Sequence, residues 1–251
     1  MNAGHAVADM GDMRAADAWL LATPDDAIAG MCRALAVSGK LVRDNIVFHV
    51  SGATPSAALG PAQRRGARIA SVHPIKTFPD LRSGARTFAG TYCAAEGDPR
   101  ALRVLKPAFE RIGARLFDIA PEMKRVYHAG GVFACNYLAA LIEAAVSCHG
   151  RAGIRRAVSL KAIEPMVRDT VDAIFARGPA RALTGPISRG DAASVRRQLE
   201  ALGRWNGELA GLYRGLGLLA VTLAAADRRL NARSAARLRA TLDAGGKGSP
   251  R

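Results

Sequence analysis

The chain has 251 residues, of which 49% are hydrophobic and 5% aromatic, and its formal net charge at pH 7 is +15. This length allows one large domain or two modest ones, and the composition is typical of a globular protein with an aliphatic core. No uninterrupted run of about 18 apolar residues occurs, which argues against a membrane-spanning helix. The first residues do not resemble a secretory signal, so we expect a cytoplasmic protein.

The positive charge indicates an anionic partner, but its distribution argues against nucleic acid. Most of the 36 basic residues are arginines scattered over every segment, with no interleaved aromatic side chains of the kind that line a single-strand groove. A phosphate- or carboxylate-bearing cofactor or substrate is the partner we expect. Cys32, Cys93, Cys135 and Cys148 show no metal-site spacing, so we expect reduced thiols and no metal site.

The first half alternates between short apolar runs and helical patterns, which predicts α/β structure. Five strands are predicted at 18–23, 45–50, 68–73, 87–97 and 115–120, with helices between them at 24–39, 54–66 and 98–113. Strands that alternate with helices imply a parallel sheet with right-handed crossovers.

From Pro121 onward the apolar residues recur with a helical period of 3.6 and no strand pattern appears. Helices are predicted at 122–149, 154–178, 192–203, 206–230 and 232–244. The sequence therefore predicts α/β plus all-α architecture, with an α/β domain over 1–120, a helical domain over 121–245 and a flexible tail over 246–251.

Three polar clusters follow the first three predicted strands: "TPDD" at 23–26, "SGAT" at 51–54 and "HPIKTFPD" at 73–80. Each could be ordinary turn chemistry, with Asp as a cap and Gly as a turn residue. Because ligands of parallel sheets bind beyond the carboxyl ends of the strands, the three together favour a ligand site.

The glycine-rich turn of dinucleotide-binding proteins is missing from this stretch. The early glycines, Gly4 and Gly11, follow no apolar strand, and no G-x-G-x-x-G motif occurs there.

Five stretches carry a resemblance to a known family. They are "ADAWLLATPDDAI", "VFHVSGA", "SVHPIKTFPD", "YHAGGVFACNYL" and "ALTGPISRGDAASVRRQL". The chain resembles the Rossmann-like proteins whose second half is the domain of unknown function 2520, which are similar to pyrroline-5-carboxylate reductase and the 6-phosphogluconate and 3-hydroxyacid dehydrogenases. The resemblance implies an NAD(P)-dependent oxidoreductase with a partial Rossmann-like parallel sheet. It also implies a helical domain like the C-terminal domain of 6-phosphogluconate dehydrogenase, through which the chain forms a homodimer.

The sequence departs from the family's pattern at its start, where the family's first strand, glycine-rich turn and helix are not found. We therefore expect an N-terminally truncated chain that binds NADP or NAD poorly. Strand 18–23 is then expected to lie at an edge of the sheet, with Trp19, Leu20 and Leu21 uncovered. The faces of helices 154–178 and 206–230 are expected to pair in the dimer.

The helix after Pro121 resembles the interdomain helix of those dehydrogenases, on which a Lys and an Asn hold the substrate. Lys124, His128 and Asn136 are spaced by multiples of four, which keeps them close to one helix face. Gly130 and Gly131 each cost about 1 kcal/mol in a helix relative to Ala, which indicates the close approach of another backbone, a cofactor ring or a packed helix.

These patterns give the candidate roles in hydride transfer coupled to proton transfer. His128 is the predicted general acid or base, since its unperturbed pKa lies near 6.5; Lys124 or Tyr127 would polarise a carbonyl or imine, and Asn136 and Ser51 would orient the substrate. A core histidine and a buried hydrogen-bonding Asn are the alternatives. The predicted cofactor-binding residues are Thr23, Pro24, Asp25, Ser51 and Gly52, and the predicted substrate-binding residues are His73, Thr184 and Arg189.

Arg189 could grip a substrate carboxylate with a bidentate guanidinium or could simply tie down its own loop. The site is expected in a cleft between the two halves. The competing functions are a non-catalytic ligand-binding or regulatory protein, which the missing glycine-rich turn favours, and a purely structural oligomerisation module.

Overall fold

The structure, a computed structural model, describes residues 4–78, 84 and 86–244. The chain divides into two compact units, Met1–Ala139 and Ala140–Arg251. The predicted domain boundary at residue 120 stays a prediction. The predicted tail 246–251 and the end of the third polar cluster, Pro79 and Asp80, lie outside the described residues.

A five-stranded sheet with the strand order β1-β2-β3-β4-β5 forms the centre of the first unit. The strands are β1 (Ala18–Leu21), β2 (Ile46–His49), β3 (Arg68–Pro74), β4 (Tyr92–Gly97) and β5 (Arg115–Asp118). All five coincide with predicted strands, and the predicted α/β plus all-α class is confirmed. The prediction of a wholly parallel sheet is wrong for one pair of strands, since β4 runs antiparallel to β3. The chain re-enters the sheet at the end from which it left, and this arrangement needs no crossover.

Helices cover both faces of the sheet. They are α1 (Asp25–Val37), α2 (Gly60–Gln63, preceded by a 3-10 turn), α3 (Pro99–Arg111) and α4 (Lys124–Gly131). Alternate residues of a strand point to opposite faces, so Val47 packs under α1 with Ile28 and Leu35. Its neighbour Phe48 packs on the other face with Leu105 of α3.

Strand β1 lies at an edge of the sheet, as predicted, but it is better covered than predicted. Trp19 and Leu21 are only 6% and 7% exposed, whereas Leu20 is 49% exposed. The first two pack against the cluster under α1, which Met10 and Ala16 extend. The expectation that all three side chains are uncovered was therefore wrong for Trp19 and Leu21.

The predicted long helix 122–149 is helical throughout but changes its winding. A 3-10 turn at Pro121–Met123 leads into α4, and a π-helical turn at Val132–Asn136 separates α4 from α5 (Tyr137–Arg151). The π turn directly follows Gly130 and Gly131, where the helix backbone is least restrained. Such turns are rare and are frequent at functional sites.

The second unit is entirely helical in its described residues. Its further helices are α6 (Arg156–Arg177), α7 (Pro179–Ala182), α8 (Ala192–Trp205), α9 (Gly207–Ala226) and α10 (Ala232–Ala244). Val195, Val221 and Leu238 from α8, α9 and α10 meet in its core. Asp191 caps α8 by accepting a hydrogen bond from the Ser194 amide at 3.0 Å, as predicted.

Two helical stretches of the described chain, Pro121–Arg151 and Gly207–Ala226, are long and apolar enough to cross a membrane by length and composition alone. The sequence-based prediction of no such helix counted only uninterrupted apolar runs. Both helices contain polar residues that interrupt such runs, but their mean hydropathy is still high. One or two such helices are weak evidence for a membrane protein, because helices of soluble proteins pass the same test. The cytoplasmic location stays a prediction.

Candidate functional site

The loops after β1 and β2 are joined through Ser51. Its hydroxyl donates to the Asp25 carboxylate at 2.7 Å and accepts from the Thr54 amide at 2.9 Å. Ser51 is itself buried, and Asp25 opens helix α1. The first two predicted polar clusters therefore lie together at the carboxyl ends of neighbouring parallel strands.

Two histidines converge on Gly52, which follows β2. A Cβ atom placed on this glycine would lie 2.7 Å from His73 Nε2 and closer still to the His128 ring. The rings of His73 and His128 have centroids 6.0 Å apart. Only a residue without a side chain leaves room for both imidazoles, so Gly52 sets the distance between the end of β3 and helix α4.

Tyr127 and His73 form a hydrogen-bonded pair in this cluster, with 2.7 Å between the phenol oxygen and His73 Nδ1. Burial, assisted by the charges of Lys124 and His128, lowers the pKa of His73 to about 4, and Asp25 opposes this shift. Burial raises the pKa of Tyr127 to about 12. Near neutral pH the pair is therefore a neutral imidazole and a protonated phenol.

The low pKa of His73 makes stability depend on pH. An unfolded histidine takes up a proton near pH 6.5, while the folded one stays neutral down to about pH 4. Unfolding then takes up a proton between these values, so stability is fully present above pH 6.5 and is lost as the pH falls to about 4. We expect a loss of at most about 3 kcal/mol, reduced by the partial exposure of His73.

Urea unfolding at several pH values measures this loss, with His73→Asn as the comparison. The asparagine variant should lose less stability over the same pH range, because it has no imidazole to protonate. Parallel curves for the two proteins would show that His73 titrates normally.

Lys124 differs from its predicted role. Its side chain is fully buried and its ammonium donates to the Ser71 hydroxyl and, at 3.3 Å, to the Glu96 carboxylate. Burial lowers the pKa of Lys124, and Glu96 opposes the shift. A side chain with no exposed surface cannot polarise a substrate carbonyl, so Lys124 is removed from the groups that touch the substrate.

Three polar residues of this region were missed: His49, Ser71 and Glu96, each 0–2% exposed. His49 Nδ1 accepts from the Ser51 amide at 3.2 Å, and burial, together with the charge of Lys124, lowers its pKa. The available signal was a polar residue at a buried position in each of the three strands, and the alternation of side chains along one strand did not show that all three residues face the same side of the sheet.

The remaining predicted residues are placed as follows. Asn136 ends the π turn and is exposed. Thr184 and Arg189 are exposed and belong to the second unit, in the half-buried segment between α7 and α8. Thr184 lines an open cavity of about 290 Å³ beside Tyr213.

The fit of these residues to a nicotinamide dinucleotide is uneven. Thr23, just beyond the carboxyl end of β1, carries a buried hydroxyl with no hydrogen-bond partner among the described residues, and a ligand could supply that hydrogen bond. By contrast, Asp25 and Asp26 in the first turn of α1 disfavour a phosphate group at this helix N-terminus. The described residues thus offer a ligand a hydrogen-bonding group at Thr23 but no favourable place for a phosphate at the start of α1. Among them no group of three or more metal-binding side chains occurs.

Two family models match the chain. A Rossmann-like domain matches residues 5–74, and a domain of unknown function, DUF2520, matches residues 91–220. No curated protein matches it.

Solved structures share the fold. Protein TM1727 from Thermotoga maritima is 24% identical with a TM-score of 0.73, covering 87% of this chain and 82% of its own. BF3122 from Bacteroides fragilis, a proposed NADP oxidoreductase, is 19% identical with a TM-score of 0.65, covering 87% and 79%. A proposed oxidoreductase from Mycobacterium avium 104 is 18% identical with a TM-score of 0.51, covering 95% and 81%. These similarities confirm a Rossmann-like unit followed by a helical one.

Proposed function

This chain belongs to the family of the domain of unknown function DUF2520, and from that premise we propose that it is an NADP- or NAD-dependent oxidoreductase acting on a small carboxylate-bearing substrate. The observation that carries the proposal is the convergence of His73, Tyr127 and His128 over Gly52. These groups lie at the carboxyl ends of the parallel strands β2 and β3, the side on which open α/β sheets bind ligands. The name of the Bacteroides fragilis relative supports NADP as the cofactor class.

The side chains of this site suit proton transfer. A bound nicotinamide would supply or accept the hydride, and the protein would supply or remove the accompanying proton. His128 is the proposed acid or base, because its ring meets the cluster and an imidazole can both donate and accept a proton. The neutral His73 and the Tyr127 phenol are hydrogen-bonding groups that orient a carbonyl or imine.

Arg189 and Thr184 of the second unit are exposed and stay proposed carboxylate-binding residues, Arg189 through a bidentate fork. Asn136 of the first unit is proposed as a hydrogen-bonding group for the substrate. The hydroxyl of Ser51 is already engaged by Asp25, so its role is to order the loop that carries Gly52.

We also propose that the chain works as a homodimer. Almost none of the most apolar part of the helical stretch Pro121–Arg151 is buried, and Phe133 and Phe175 are 66% and 86% exposed. Apolar side chains of this size favour burial against a partner. Light scattering on the purified chain should give twice the monomer mass, and a monomer at micromolar concentration would contradict the proposal.

His128→Asn tests the chemistry. Removal of a general acid or base should lower the rate of NADPH oxidation by about 10²- to 10⁴-fold, with the fold retained. The assay uses a panel of small oxo acids and cyclic imino acids, and His5→Asn, at an exposed position, is the matched control. Turnover at the wild-type rate in His128→Asn would contradict the assignment. A wild-type chain that binds ligand but turns over none of the panel would favour the non-catalytic ligand-binding alternative.

A further inference from the structure

A row of buried polar side chains crosses three strands of the sheet. In the strand register His49 of β2 pairs with Ser71 of β3, and Ser71 pairs with Glu96 of β4. Directly paired residues lie side by side on the same face of a sheet. The row His49–Ser71–Glu96 therefore faces one side of the sheet, and all three side chains are buried.

Helix α4 contributes one charge to this row. The Lys124 ammonium donates to both Ser71 and Glu96. The Glu96 carboxylate is in turn fixed by the Ser56 amide at 2.7 Å and the Ser56 hydroxyl at 2.6 Å. A buried charge is tolerated when it is paired and its hydrogen-bonding capacity is used, and both conditions hold for this ion pair.

Helix α4 contacts strand β3 a second time, next to the contact between Lys124 and Ser71. His73 follows Ser71 by two residues on β3, and Tyr127 follows Lys124 by three residues on α4. Two strand residues span about 6.6 Å and three helix residues about 4.5 Å, so adjacent side chains of the two elements can meet in register. The Lys124–Ser71 and Tyr127–His73 hydrogen bonds are thus two successive links between α4 and β3.

We propose that Lys124, paired with Glu96, is a positioning residue that docks α4 on β3 and thereby places Tyr127 against His73 and His128 over Gly52. Its importance for catalysis rests on the proposed function, whereas the docking itself does not. Full burial excludes direct contact of Lys124 with a ligand. The groups that face His73 are Tyr127, His128 and Lys124 of α4 and Asp25 of α1, and the Lys124 charge helps to keep the pKa of His73 low.

The test uses the double variant Glu96→Gln/Lys124→Met, which removes both buried charges at once and leaves neither unpaired. NMR of the ligand-free chain measures the ring contacts between His73 and Tyr127 and between His73 and His128, and the titration of His73. Lys106→Met is the control, since it removes a lysine whose ion pair with Asp118 lies at the surface. We expect weaker ring contacts and a His73 titration shifted upward in the double variant, and neither change in the control.

Unchanged ring contacts and an unchanged His73 titration in a folded double variant would overturn the proposal. If the double variant does not fold, Ser71→Ala decides, because it cuts the link to β3 and leaves the charges paired. Weakened His73–Tyr127 contacts in Ser71→Ala support docking by Lys124, and wild-type contacts overturn it. No cofactor is needed, so failure of the oxidoreductase assay would leave this result intact.

Discussion

Replacing Gly52 with alanine is expected to destabilise the fold by about 1–3 kcal/mol, the usual cost of overpacking a tight site. The new methyl group would overlap His73 and His128, and neither imidazole is the far end of a flexible chain. The two rings would have to move apart, so the contact between His73 and His128 should be lost as the free energy of unfolding falls.

The matched control is Gly130→Ala. An added Cβ at Gly130 meets nothing within 4 Å, and alanine is the better helix former by about 1 kcal/mol. We expect this variant to be as stable as the wild type or slightly more stable. Urea midpoints, with histidine ring NMR, compare the two variants. A Gly52→Ala chain with wild-type stability and unchanged His73 signals would show that the two rings are not closely packed on this glycine.

Breaking the buried ion pair on one side is expected to have the largest effect on stability. Lys124→Met leaves the Glu96 carboxylate buried and uncompensated, which typically costs about 3–5 kcal/mol. The double variant Glu96→Gln/Lys124→Met should be clearly more stable than this single variant, because no isolated charge remains.

Urea unfolding of the single and double variants measures this coupling. Lys106→Met should change stability by at most about 1 kcal/mol, since its ion pair with Asp118 is partly exposed to solvent. Additive effects of the Lys124 and Glu96 substitutions would contradict a direct buried interaction, because residues in one network do not behave independently.

Local signals were enough to predict the strands and most helix ends. Apolar runs such as "IVFH" and "RIASVH" occur in the order that alternating α/β structure requires, and Asp191 has the side chain that an N-cap needs. Strand direction was harder to predict. The antiparallel pairing of β4 depends on where the chain re-enters the sheet, and no local pattern in β4 records this.

The candidate site was predictable only in part, for a similar reason. Polar residues at strand ends pointed to Ser51, Gly52 and His73, because parallel strands bring their carboxyl ends together. Helical spacing placed Lys124 and His128 on one face of α4 but could not show which of them the sheet would bury. The row containing Ser71 and Glu96 depends on strand register, which a single sequence does not reveal.

The most direct test of the account compares reduced nicotinamide mononucleotide with NADPH in an NMR titration of the chain. The proposed function places the nicotinamide near Thr23, Gly52 and His128, so both ligands should shift the backbone signals of these residues. The dissociation constants of the two ligands should differ by less than about tenfold, because the start of α1 carries two carboxylates and gives a phosphate group no favourable contact. The account is contradicted if neither ligand shifts these three signals, or if the shifts are confined to the second unit.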